Sequence, residues 1–464
     1  MSTPRPTNIP SFSRRQLLRG AALGLGASAA SGLLAACGQH AQSDPLGLNQ
    51  LVPPPDDSGR TISLLTIEPH ALAAKQLAHD FKVATGVQVN WTAIPYDQVQ
   101  NKALGDVQSG AGRYDVFDYW YTTLGALVRQ NVLEDLTDFI QQNPQIHASD
   151  FITSIYDPYT LHDGRRYGLP FDGDTHVLFW NTQLLEASRV DPPKTWDEYV
   201  EAAHKITVDG NGQYYGAVLL GQQAPIIIGS SYANRLAGFG GRFLTPEGKP
   251  ALNDQAAVDA AAAMLAVQPW ALPTPFKTAF DAALAAFLQG RVAMMEFWTN
   301  LGVFAEFGTT GVPTRIKGRW DVSSLPVGGA NTKPVAALDA GFGMGVSRAS
   351  RNKDLAKRFV AFATSAPINR ELITTPNTGI DPTRRSTLNS PGYTQFAPKV
   401  AAAARASLNG AFAWPTNAQS YQLMTAQLMT ALSDNLSLML RKQLDPAAAI
   451  EKTQTTWEDT LGSA

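Results

Sequence analysis

The chain has 464 residues, of which 44% are hydrophobic and 16% charged, so it has the composition of a protein that folds around a large core, with about two or three domains at this length. Its formal charge is −2, but residues 1–36 carry four arginines and no acid, which leaves 33 Lys and Arg against 39 Asp and Glu in the remainder. This net acidic remainder lacks the positive surface charge of a nucleic-acid-binding protein. The chain has one cysteine, Cys37, which excludes an intramolecular disulfide framework and a multi-cysteine zinc site.

The first 36 residues have the pattern of an export signal. Arg14 and Arg15 precede a short stretch of small and apolar residues, 20–36, which ends in the sequence Leu-Ala-Ala-Cys at Cys37. The arginine pair resembles a twin-arginine signal, and the last four residues resemble the lipobox of bacterial lipoproteins. We therefore expect a signal peptide over 1–36, a lipid on Cys37 and a proline-rich tether over 37–59. The protein would then be extracytoplasmic, anchored to the outer face of the cell membrane or periplasmic, and would touch the membrane through the lipid alone.

Strand and helix patterns alternate from residue 60 onward. The sequence predicts strands over 62–67, 87–91 and 114–117, separated by helices over 72–85 and 96–110. Gly86 predicts the end of the first helix. This order is typical of an α/β fold with a parallel sheet, in which ligands lie beyond the carboxyl ends of the strands. That rule selects Glu68 after the first strand and the run of Asp118, Tyr119 and Trp120 after the third.

The order of several longer motifs resembles that of the bacterial extracellular solute-binding proteins, the carbohydrate-binding lipoproteins of ABC importers. The matching stretches are Tyr-Asp-Val-Phe at 114–117, Asp-Gly-Arg-Arg-Tyr-Gly-Leu-Pro at 163–170, Pro-Pro-Lys-Thr-Trp-Asp-Glu-Tyr at 192–199, Phe-Leu-Gln-Gly-Arg-Val-Ala-Met-Met at 287–295 and Asp-Ala-Gly-Phe-Gly-Met-Gly-Val-Ser at 339–347. The resemblance covers essentially the whole mature chain. It implies a two-lobed periplasmic-binding-protein fold, type II-like, with hinge strands and a ligand cleft between the lobes.

The resemblance also implies where the lobes lie. We expect lobe 1 over 60–169 plus 327–365 and lobe 2 over 170–326 plus 366–464. The chain would cross between them near the prolines at 170, 326 and 367.

The resemblance assigns ligand contacts residue by residue. The expected ligand-binding residues are Glu68, Asp118, Tyr119, Trp120, Asp172, Asp174, Trp298, Gly341 and Arg384. Carboxylates and Arg384 would bind hydroxyls, the aromatic rings would stack on sugar faces, and Gly341 would let the backbone approach the ligand. Alternatives stay open for five of these contacts. Asp172 and Asp174 also suit a solvated turn, Trp298 also suits the core, Trp120 could also pack between helices, and Arg384 also suits a surface basic pair.

These features predict a binding protein that closes on a sugar or oligosaccharide and delivers it to an ABC permease, as a monomer. One alternative is a protein that binds a polyol or a glycerophosphodiester. Another is a cell-envelope glycosidase or a sugar-sensing lipoprotein. The sequence lacks the Gly-x-Ser-x-Gly, His-Glu-x-x-His and phosphate-loop motifs, so we expect no enzyme, no cofactor and no metal.

Overall fold

A computed structural model of the chain describes residues 57–95, 98–245, 247–309, 311–335, 337–338, 341–408, 412–413 and 419–462. The predicted signal peptide, Cys37 and nearly all of the predicted tether lie outside these residues. Among the described residues, no helix combines the length and the apolar character that a membrane crossing needs.

The described part of the chain is a mixed α/β structure. Its strands are β1 (Thr61–Ile67), β2 (Gln88–Ile94), β3 (Val116–Trp120), β4 (Leu161–His162), β5 (Arg165–Arg166), β6 (Leu169–Asp172), β7 (His176–Asn181), β8 (Tyr215–Ala217), β9 (Val292–Trp298), β10 (Trp320–Ser323), β11 (Ala337–Leu338), β12 (Phe342–Val346) and β13 (Phe412–Ala413). Its α-helices are Ala71–Thr85, Val99–Gln108, Leu124–Arg129, Thr137–Gln142, Thr153–Thr160, Thr182–Ala187, Trp196–Gly210, Pro225–Gly238, Gln255–Val267, Phe280–Leu288, Leu301–Phe307, Lys353–Ala363, Ala366–Ile373, Arg385–Leu388, Pro391–Phe396, Pro398–Leu408, Gln419–Leu440 and Pro446–Gly462.

The first large sheet has the strand order β2-β1-β3-β12-β6. β1 runs parallel to β2 and β3, whereas β12 runs antiparallel to both β3 and β6. Side chains of β1 alternate between two faces: Leu64 packs into the core that holds Phe81 and Phe359, and Leu65 packs into a second core with Val99. Both faces are therefore covered, as a sheet with parallel strands requires. The predicted end of the first helix is confirmed, because Gly86 has a φ of 75° and closes helix Ala71–Thr85.

The second large sheet has the order β10-β7-β9-β8. Its central strand β9 is buried at every position. Helix Trp196–Gly210 covers one face of the sheet and helix Phe280–Leu288 covers the other. Helix Trp196–Gly210 begins with a capping box, in which Thr195 accepts from the Glu198 amide while the Glu198 carboxylate accepts from the Thr195 amide.

The chain passes from the first sheet to the second through residues 173–175, between β6 and β7. It stays beside the second sheet beyond the predicted return at proline 326, because the side-chain amide of Asn331 still donates to the Gly238 carbonyl at 2.7 Å. It rejoins the first sheet by Phe342. The return therefore lies between 331 and 342.

Residues 366–384 differ from the expected assignment to lobe 2. Helix Ala366–Ile373 packs on helix Lys353–Ala363, which covers the first sheet. The carbonyl of Thr383 accepts from the amide of Ile152 at 3.0 Å, again on the side of the first sheet. Helix Pro398–Leu408 is the next long helix that contacts β7 and β10 of the second sheet. A proline at 367 marks the start of a helix here rather than a passage between lobes.

Candidate ligand-binding site

A cavity of about 310 Å³ lies between elements of the two large sheets. Its first wall comes from the end of β3, the turn after it and the start of helix Val99–Gln108. Its second wall comes from the start of helix Pro225–Gly238, whose Ile226 and Ile227 pack in the core of the second sheet. The middle of helix Gln419–Leu440 closes the space. The lining residues are Val99, Gln100, Tyr119, Trp120, Thr122, Thr123, Ala126, Ala224, Pro225, Ile226, Thr425, Ala426, Met429 and Thr430.

Local sequence explains how these walls are placed. Pro225 occupies the first turn of its helix, where its missing N–H costs no hydrogen bond. The side chain of Gln223 then ties this helix start to helix Gln419–Leu440, because its amide donates to Asp434 at 2.8 Å and its oxygen accepts from Ser437 at 3.1 Å. Two walls that are 200 residues apart in the chain are thereby held together.

The lining is apolar and hydroxylic, and none of its residues carries a charge. Trp120 is half-buried and contacts all three hydrophobic cores, so its ring is held at the edge of the cavity. Four threonines lie in the lining, and the hydroxyl of Thr430 donates to the Ala426 carbonyl at 2.7 Å, so that it offers a ligand only its acceptor side. The hydroxyl of Thr123 donates to the Trp120 carbonyl at 2.7 Å, which fixes the turn directly after the tryptophan. A flat ring beside several hydroxyls is the chemistry that binds the apolar face and the hydroxyls of an uncharged polar solute.

Two of the predicted site residues line this cavity. They are Trp120 and Tyr119, which the strand-end rule selected. The ring of Tyr119 reaches the lining, but its hydroxyl donates to the Tyr159 carbonyl at 2.9 Å. Burial raises the pKa of that hydroxyl. Tyr119 therefore contributes ring surface rather than a free hydroxyl.

The predicted carboxylates lie elsewhere. Asp118 is fully buried within β3, where one of its oxygens lies 2.8 Å from Nδ1 of His70. Asp172 lies 3.4 Å from Nε2 of the same ring and accepts from the Asp381 amide at 2.7 Å. Asp174 is 7% exposed and faces Asp381. Neither Asp172 nor Asp174 lies in a solvated turn, and none of the three carboxylates lines the cavity.

Burial alone would lower the pKa of His70, but its hydrogen bonds to Asp118 and Asp172, together with their negative charges, raise it to about 9. Burial raises the pKa of Asp172, while His70 opposes that shift. At neutral pH the imidazole is therefore a cation between two carboxyl groups.

The remaining predicted contacts do not line the cavity either. Trp298 is buried in the core of the second sheet, edge-on to His176 at 4.4 Å. Glu68 is exposed at the start of a short helix. At Gly341 the backbone approaches a side chain rather than a ligand, since a Cβ there would lie 1.7 Å from the Tyr159 hydroxyl oxygen.

Arg384 belongs to the core. It is 1% exposed, and its guanidinium donates to the carbonyls of Thr364, Ile146 and His147 at 2.7, 3.0 and 3.2 Å. It also lies 3.8 Å from the ring centre of Phe151. Burial lowers its pKa to about 10, which still leaves it charged at neutral pH. Its donors are used within the protein, so the alternative prediction, that Arg384 belongs to a surface basic pair, is also wrong.

Most of the lining residues were not predicted. Ala224 to Ile226 and the stripe of Thr425, Met429 and Thr430 come from the two distant helices. One signal was available in the sequence: Thr425 and Met429, and likewise Ala426 and Thr430, stand four residues apart, the spacing of one helix face. Nothing local in the sequence shows that this face meets the end of β3.

Within the described residues, no group of three or more His, Cys, Asp or Glu side chains has the arrangement of a metal site.

Comparison with known proteins places this geometry in a family. Residues 67–369 match the family described as bacterial extracellular solute-binding protein. A probable amino-acid ABC transporter periplasmic-binding protein, y4oP of Sinorhizobium fredii, is 28% identical over 74% of this chain and 76% of its own length.

Solved structures share the fold. A solute-binding protein of Agrobacterium radiobacter in complex with ribitol has a TM-score of 0.75 at 22% identity, and covers 87% of this chain and 99% of its own. A maltose-bound protein of T. maritima, MalE3, has a TM-score of 0.76 at 21% identity, and covers 86% of this chain and 100% of its own. These similarities confirm the two-lobed α/β fold. Because the family match spans well over half of the chain, this protein belongs to the bacterial extracellular solute-binding proteins.

Proposed function

We propose that the protein is the binding component of an ABC importer and that it captures an uncharged sugar, oligosaccharide or polyol in the cavity beside Trp120. The observation that carries this proposal is the cavity itself: it lies between the two sheets, and it offers an aromatic ring and threonine hydroxyls without a charged side chain. A ligand that contacts both walls would stabilise the closed arrangement of the lobes, since only that arrangement satisfies both halves of the site.

The chemistry of the lining residues distinguishes between classes of ligand. An amino acid, which the printed name of the S. fredii relative suggests, carries a carboxylate and an ammonium group, and burying either without a partner is costly. A glycerophosphodiester would need a cationic contact, and Arg384 is used within the core. Ribitol and maltose, bound by the two structural neighbours, are uncharged and suit the lining. We therefore favour a neutral polyhydroxylated ligand over both charged classes.

A thermal-shift panel tests the ligand class. The full-length protein would be heated with ribitol, mannitol, maltose, arabino-oligosaccharides, amino acids and glycerophosphodiesters, and any hit measured by calorimetry. A ligand at one hundred times its dissociation constant stabilises the fold by about 2.7 kcal/mol. We expect a shift with at least one neutral compound and none with the charged ones. A shift with amino acids alone would refute the neutral-ligand proposal.

A pair of tryptophan variants locates the site. Trp120→Ala removes the ring at the cavity and should abolish the shift, whereas Trp91→Ala removes a ring that is 39% exposed on β2, outside the cavity. Equal loss of binding in both variants would argue against the cavity. Incubation of the hit with the protein, followed by product analysis, tests the proposal that no turnover occurs, which also separates this function from a glycosidase.

We further propose that Cys37 carries the lipid anchor and that the preceding arginine pair directs export. Cys37→Ser should release the protein from the membrane fraction into the soluble extracytoplasmic fraction. Replacement of Arg14 and Arg15 by lysine should block export if the twin-arginine route is used, while export that persists would point to a general secretion signal. Copurification of the lipidated protein with a permease would separate an importer component from a stand-alone sensor.

A further inference from the structure

The passage between the two sheets is built around buried ionisable groups. His70 follows β1, Asp118 lies on β3 and Asp172 ends β6, and each is at most 1% exposed. The imidazole lies 2.8 Å from Asp118 and 3.4 Å from Asp172, while Thr66 donates to Asp118. The rings of Phe171 and Phe342 pack edge-on against it. Three strands of the first sheet therefore meet at one buried imidazole.

The same group of residues reaches the second sheet. The amide of Asp381 donates to Asp172, and its carboxyl group faces Asp174, Thr299 and the backbone amide of Asn300. Thr299 directly follows β9, and its amide donates to the Thr175 carbonyl at 3.0 Å, beside the start of β7. Asp381 thus bridges the end of β6 and the end of β9. We call His70, Asp118, Asp172, Asp174 and Asp381 the crossing cluster.

The charges of the crossing cluster do not balance unless protons are retained. The buried carboxyl groups of Asp118, Asp172 and Asp381 face a single imidazole, that of His70. Within the described residues, His70 is the only base that contacts Asp118 or Asp172, and no base contacts Asp381. Carboxyl groups that face each other away from water cannot all be ionised, because each added negative charge raises the free energy of the next. The cluster must therefore retain at least one carboxyl proton and the imidazolium proton to limit its buried negative charge.

The titration of the individual groups agrees with this count. Burial and the charge of Asp172 raise the pKa of Asp381 to about 7, although Asp174, Thr299 and the Asn300 amide act in the opposite direction. The phenol of Tyr393 is the other titratable group that faces Asp381, and burial raises its pKa well above its ordinary value. The facing carboxyl groups of Asp381 and Asp172 therefore lose their retained proton near pH 7, and the imidazolium of His70 loses its proton near pH 9.

We propose that the crossing cluster braces the two sheets against each other only while it holds these protons, and that the brace weakens as the solution becomes alkaline. Loss of the Asp381 proton places a new buried negative charge beside Asp172, at the edge of a cavity of about 20 Å³ that has room for one water molecule. Loss of the His70 proton removes the cation that joins Asp118 to Asp172. Both steps act beside the short segment 173–175, through which the chain passes from β6 of the first sheet to β7 of the second.

One consequence rests on the proposed function. Asp118 lies two residues before Trp120 on β3, so a shift of the cluster moves a wall of the ligand cavity. Ligand affinity should then fall as pH rises from 6 to 9. In this role Asp381 and His70 are positioning residues that act through β3 and the residues after β9, and neither contacts the ligand.

The ligand-free protein provides the first test. The folded state binds more protons than the unfolded state wherever Asp381 or His70 has the higher pKa in the fold, so stability contributed by these protons is lost as pH rises. We expect the midpoint of thermal unfolding to fall between about pH 4 and pH 9, with the share of Asp381 lost below about pH 7 and the share of His70 lost between about pH 6.5 and pH 9. Asp381→Asn mimics the protonated acid and should flatten the part of this fall below about pH 7. Asp106→Asn is the matched control, since Asp106 is 7% exposed and accepts from the Arg113 amide far from the crossing.

Measurements of unfolding, histidine titration and ligand affinity decide the proposal. The brace is supported if the unfolding midpoint falls with rising pH and if Asp381→Asn reduces this fall while Asp106→Asn does not. It is overturned if the midpoint does not depend on pH, or if it falls with the same slope in both variants. If Asp381→Asn does not fold, histidine-selective ¹³C NMR of the unaltered protein replaces it: one of the seven histidines should stay protonated to about pH 9, and titration of all of them near 6.5 overturns the proposal. Calorimetry with ribitol or maltose at pH 6 and 8.5 tests the consequence, with an expected loss of affinity of at least fivefold. Absence of binding at both pH values would contradict the proposed function while the unfolding measurements still decide the brace.

Discussion

Arg384 offers the clearest separation between a ligand contact and a structural residue. Its three carbonyl partners, Thr364, Ile146 and His147, are satisfied by different nitrogens of one guanidinium group. In Arg384→Lys a single ammonium group cannot reach all three, because it lacks the planar fork. If two buried carbonyls lose their donor, at about 1–3 kcal/mol each, the free energy of unfolding should fall by about 2–6 kcal/mol.

Urea unfolding measures this loss through the midpoint, provided that the slope with urea stays unchanged. Arg385→Lys is the matched control: Arg385 is the next residue along the chain and is exposed, so we expect a change within about 0.5 kcal/mol. Affinity for whichever neutral ligand the thermal-shift panel identifies should be unchanged in both variants. An unaltered urea midpoint together with weakened binding in Arg384→Lys would refute this reasoning and restore the arginine to the ligand site.

Three further predictions concern stability. Gly341→Ala should lower the unfolding temperature by the equivalent of about 1–3 kcal/mol, because its Cβ would collide with the buried ring of Tyr159. Gly105→Ala, at a helical position with open space, should not lower it, and equal effects of the two substitutions would contradict this packing. Burial lowers the pKa of His176 to about 3, so the stability that its neutral ring contributes is lost as pH falls below 6.5. In urea unfolding, the free energy of unfolding of the unaltered protein relative to His176→Gln should therefore be lower at pH 5 than at pH 7, and an equal difference at both pH values would contradict this assignment. Asn181 caps helix Thr182–Ala187 by accepting from two backbone amides, so Asn181→Ala should cost about 1 kcal/mol in urea unfolding, and a neutral result would show that the cap is dispensable.

The sequence predicted the parts of the fold that local patterns control. The strand over 62–67 and the end of the first helix at Gly86 are predicted from a few neighbouring residues, and the structure has both. Tyr119 and Trp120 were selected by the same kind of reasoning, from the rule that ligands lie at the carboxyl ends of strands, although the strand extends to Trp120 rather than ending at 117. To apply this rule, only the strand itself has to be recognised in the sequence.

The rest of the site depends on contacts between distant parts of the chain. Asp118 belongs to the same strand end as Trp120, yet its partner His70 lies 48 residues earlier, and nothing near Asp118 reveals that it is used there. Arg384 resembles a surface residue because another arginine follows it, whereas its partners come from 20 to 238 residues away. The wall of Thr425 and Met429 became part of the site only because helix Gln419–Leu440 packs against the start of helix Pro225–Gly238.

The central claim is that a neutral polyhydroxylated solute binds between the two sheets at Trp120. A crystal structure of the full-length protein with the strongest neutral ligand of the panel tests it most directly. The ligand should lie in the cavity, with one face on the ring of Trp120 and contacts to Ala224–Ile226 and to the stripe of Thr425, Met429 and Thr430. A ligand bound instead at Trp298, at Arg384 or on the outer surface, with the cavity beside Trp120 empty, would contradict the account.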